Sequence, residues 1–62
     1  MALDAAQLSS LSSSLGDLAQ RITAMAQTLE DSPREDVAAD LFEVERHLQS
    51  AHRKMQSLLR RL

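Results

Sequence analysis

The apolar residues of this chain fall on two unbroken heptad stripes, and that spacing restricts it to helices packed against helices. The first stripe is Leu8, Leu11, Leu15, Leu18, Ile22, Met25 and Leu29; the second is Val37, Leu41, Val44, Leu48, Ala51, Met55, Leu58 and Leu62. Both alternate three- and four-residue steps without a miss, the pattern of a helix seam. Between them, Ser32, Pro33 and Glu35 have the order of an N-cap, a first helical position with a preset φ, and the far end of a capping box. Pro33 disfavours helical geometry at Ser32, so the first helix is expected to end near residue 30 or 31. The reading is a single all-α unit over residues 1–62: helix 1 about 4–30, a turn at 31–32, and helix 2 about 33–62. So short a link favours an antiparallel, coiled-coil-like hairpin over one continuous bent helix, which is the structural alternative.

The start of helix 1 is marked by Asp4 and Gln7, spaced as a capping box, with Leu3 placed to pack on Leu8 as a hydrophobic staple. The following serines, Ser9, Ser10, Ser12, Ser13 and Ser14, compete for backbone hydrogen bonds and are expected to soften the first turns. In so short a chain, burial of one stripe per helix barely offsets the entropy of ordering. Cysteine is absent and no ligand cluster supplies a metal staple. Self-association is the remaining source of stability, most simply as a dimeric four-helix bundle.

Residues beside the stripes show where further helices could dock. Ala5, Ser9, Ser12, Gly16, Ala19, Thr23 and Ala26 form a ridge in which every side chain is small, and such a ridge lets another backbone approach closely. On helix 2, Phe42 and Leu59 share a flank, with Ala38 one turn before Phe42. The heptad stripes are therefore assigned to the hairpin seam, and Gly16, Ala19, Ala26, Phe42 and Leu59 to a second interface between hairpins.

The formal charge of −2 conceals a segregation. Residues 31–45 carry six acids against Arg34, whereas 46–62 carry Arg46, Arg53, Lys54, Arg60 and Arg61 and no acid. Complementing the helix dipole accounts for the terminal turns only. The basic face of Arg53, Lys54, Arg60 and Arg61 is the candidate for nucleic acid or acidic lipid, although nine acids and the lack of base-stacking aromatics argue against it.

Chemistry-bearing arrangements are missing from the sequence. His47 and His52 lie five apart, off a shared helical face, and no hydroxyl has the His-plus-carboxylate company that activates a nucleophile. No cofactor is expected, and the chain is read as non-enzymatic. It has no apolar run of about 20 residues and no basic-then-apolar leader, so a soluble cytoplasmic protein is the expectation. In outline the hairpin resembles small bacterial anti-sigma factors that bind cyclic di-GMP. Their repeated Glu-x3-Ser-x2-Arg-x3-Gln-x3-Asp pattern is not continued here, since Glu43 is followed four residues on by His47 and Glu45 by Gln49. The functional expectation is a homo-oligomeric adaptor or regulatory protein–protein module with a protein partner. A nucleic-acid-associated bundle and a purely structural oligomerisation element are the alternatives.

Overall fold

The computed structural model describes residues 4–62 as two α-helices, α1 (Ala5–Glu30) and α2 (Glu35–Arg60), packed side by side around a short turn. The hairpin measures 49 × 17 × 14 Å. Its beginning follows the local chemistry: Asp4 stands in extended geometry as the N-cap, and its carboxylate accepts the Gln7 backbone N–H at 3.0 Å. The proposed staple of Leu3 on Leu8 lies outside the described residues. The serine-rich turns stay helical, with the Ser14 hydroxyl donating back to the Ser10 carbonyl at 3.1 Å.

The start of helix 2 differs from the expected N-cap at Ser32. The Ser32 hydroxyl donates to the Leu29 carbonyl at 2.7 Å and accepts the Arg34 N–H at 3.1 Å, so it closes α1 and braces the turn. Arg34, at φ −105° and ψ 37°, is not helical, and regular structure begins only at Glu35. Pro33 and Arg34 thus belong to the turn, and α2 has no side-chain cap; the Val37 and Ala38 N–H groups donate to the Arg34 carbonyl. Glu35 and Asp36 in its first turn and Arg60 in its last still suit the helix dipole.

The buried centre of the hairpin is made of small residues. Ser12, Ala19 and Ala26 of α1 and Ala38 of α2 are its buried members, and no large side chain is fully enclosed among the described residues. Gly16 shows how tightly the helices meet: a methyl group built on its Cα would lie 2.8 Å from Cε1 of His52. The small ridge of α1 therefore faces α2 within the chain. A ridge without bulk lets the backbones close, and the His52 ring of α2 occupies the notch left at Gly16.

Candidate helix-binding face

The close approach of Gly16 and His52 fixes the rotation of both helices, and that rotation decides where the heptad stripes go. On α1 each stripe residue from Leu8 to Met25 precedes a ridge residue by one, about 100° around the helix. On α2 the residues facing α1 recur every seven positions: Ala38 is buried, and Glu45, His52 and Leu59 are half-buried. Val37, Val44, Ala51 and Leu58 of the α2 stripe likewise precede this row by one, and Leu41, Leu48, Met55 and Leu62 follow it by three, on the same side. Because the helices run antiparallel, the same rotational offset turns both stripes to the same side of the hairpin. The two stripes become one apolar face.

Exposure divides that face by depth. Leu8, Leu15, Ile22 and Leu29 of α1, and Val37, Leu41, Leu48, Met55 and Leu58 of α2, are half-buried along its middle. Leu11, Leu18, Met25, Val44 and Leu62 are exposed large apolar residues, from 43% for Leu18 to 59% for Met25, and Ala51 is exposed as well. The expectation that the whole stripe forms the hairpin seam is thus corrected: only its inner rows border the seam, because small residues allow a closer helix contact than leucines would. Gly16, Ala19, Ala26 and Leu59, expected at a second interface, lie in the seam itself, with Phe42 half-buried beside it. Glu45 and His52 are half-buried in that seam, where the sequence reading had not placed them. Their signal was the seven-residue row Ala38, Glu45, His52, Leu59, hidden by its mixed polarity.

Charge frames the face. Asp40, His47, Lys54 and Arg61 recur every seven residues along its outer rim on α2, passing from acid to base, and all are exposed. Arg46, Arg53 and Arg60 form another such row on the opposite side of the hairpin, so the four-residue basic face read from the sequence is split between two flanks. Arg53 makes a long contact to the Ser50 hydroxyl at 3.4 Å. The one ion pair among the described residues is Arg34 with Asp36 at 3.6 Å, both well exposed. These bases consequently have no carboxylate partner inside the hairpin.

Among the described residues no three His, Cys, Asp or Glu side chains gather as a metal site, and no helix is long and apolar enough to cross a membrane. No family model, curated protein or solved structure matches the chain.

Proposed function

We propose that the protein is a non-enzymatic helical-hairpin interaction module, acting as a homo-oligomeric adaptor or regulator whose apolar face joins two copies into a four-helix bundle. The observation that carries this reading is the row of exposed Leu11, Leu18, Met25, Val44 and Leu62 on one side of a hairpin whose buried centre is alanine and serine. Three alanines supply too little buried area to hold 62 residues against chain entropy. The accessible surface is 4779 Å², whereas a compact monomer of this mass has about 4000 Å². Once paired, the module would offer its polar outer faces to another protein.

Sedimentation equilibrium with circular dichroism over a dilution series tests the reading. A dimer that loses helix as it dissociates is the expected result, and a fully helical monomer at low micromolar concentration would overturn it. The row Arg46, Arg53 and Arg60, free of ion pairs on the side away from the apolar face, supports a second reading as a nucleic-acid-associated bundle. A shift of labelled duplex DNA or RNA that fades steeply with added salt would favour that alternative.

A further inference from the structure

We infer that the second copy seats on the apolar face with its turn at the opposite end, α2 lying antiparallel on α2 and α1 antiparallel on α1. This inference rests on the self-association proposed above. It goes further in naming the topology and the residues that meet.

A two-fold axis of this kind crosses the long axis of the hairpin at right angles, so both stripes must have their midpoints at one level. The α1 stripe is centred on Leu18, and the α2 stripe between Leu48 and Ala51. Counting two residues from Gly16 to Leu18, and two back from its neighbour His52, brings Leu18 level with Ser50. The condition is met. About that axis Val37 opposes Leu62 of the second copy, Leu41 opposes Leu58, Val44 opposes Met55 and Leu48 opposes Ala51, each pairing occurring twice. On α1, Leu18 crosses its own counterpart, and Leu15 opposes Ile22.

Charge then selects this arrangement over the one with both turns at the same end. Residues 30–45 hold seven carboxylates against Arg34 alone, while the open end of α2 is basic. Placing both turns together would crowd two acidic ends. Reversing one copy sets acidic half against basic half along α2, and on the rim it brings Asp40 beside Arg61 of the second copy, again twice. Arg61, which has no carboxylate partner inside the hairpin, acquires one between copies, while Arg46, Arg53 and Arg60 stay on the far side. Like charges side by side repel and opposite charges fix register, so specificity here comes from the rim while the apolar rows supply adhesion.

The absence of cysteine allows a clean spectroscopic test. Nitroxide labels on the single variants Asp31→Cys, in the turn, and Ser50→Cys, at the level of the axis, would be measured by double electron–electron resonance on the dimer isolated by sedimentation. Turns at opposite ends place the Asp31→Cys labels roughly 40 Å or more apart, by the length of a 26-residue helix, and the Ser50→Cys labels much closer. A short distance between Asp31→Cys labels in an intact dimer would overturn this topology and leave self-association standing, whereas a monomer in sedimentation would overturn both. As a second measurement, Asp40→Lys should raise the dissociation constant about tenfold, and adding Arg61→Glu should recover most of that loss. Equal weakening by the single and double variants would also count against the pairing.

Discussion

Gly16 shows how much a single missing side chain decides in this hairpin. In an exposed helix interior a glycine costs about 1 kcal/mol against alanine. Here its empty position receives the edge of the His52 ring, with Nδ1 and Nε2 each 3.3 Å from where a Cβ would stand. Gly16→Leu should therefore destabilise the hairpin by about 1 to 3 kcal/mol through overpacking, despite the better helix propensity. The matched control is Gly16→Ala made on a His52→Ala background. With the ring gone, the added methyl should stabilise by up to about 1 kcal/mol, measured by urea unfolding at one fixed protein concentration. If Gly16→Leu raised the unfolding midpoint, the close seam would not exist in solution.

Ser32 makes a second local prediction, now about the turn. Its hydroxyl serves both the Leu29 carbonyl and the Arg34 N–H, so Ser32→Ala removes two hydrogen bonds at the junction of the helices. A loss of about 0.5 to 2 kcal/mol is expected, as for a helix cap, although the residue closes α1 and does not begin α2. Pro33→Ala should cost less, because Pro33 lies in the turn before the first helical residue and donates to nothing there. Thermal unfolding of the two variants at matched concentration decides between them.

At the scale of elements, much of the architecture was legible and the rotation of the helices was not. The periodicity located two helices, the Ser-Pro pair located the turn, and Asp4 with Gln7 located the first cap, because each of these is written in neighbouring residues. The small ridge was legible too, as a surface for close approach. What the sequence could not supply was the identity of the approaching helix. Leucine stripe and alanine ridge are adjacent rows on α1, and either can form a seam; local chemistry does not say which one closes within the chain. The contact of Gly16 with His52 settles it by giving the ridge to the hairpin, and the outer row of the stripe, Leu11, Leu18, Met25 and Val44, is thereby left exposed. Ser32 failed as an N-cap because regular helix begins only at Glu35, so the N–H its oxygen accepts is that of Arg34 in the turn, while its proton goes to the Leu29 carbonyl of α1.

At the scale of the whole molecule, the proposed pairing would make folding and association one equilibrium. The hairpin buries Ala19, Ala26, Ala38 and Ser12, while its large apolar groups wait at the surface, so the free chain is expected to be only partly helical. Leu18→Glu combined with Val44→Glu puts charge at the middle of the apolar face without touching the alanine seam, since both positions are exposed in the hairpin. If the hairpin were stable alone, such a change at exposed sites would alter its stability by no more than about 0.5 kcal/mol. If it is held by its second copy, the double variant should be monomeric, should lose most of its helical circular dichroism, and should melt without the dependence on concentration expected of the parent. The concentration dependence is the more telling of these readings, because partial helix loss alone could follow from propensity. A variant that stayed fully helical and melted like the parent would mean that the alanine seam suffices, and that the apolar face serves some other partner.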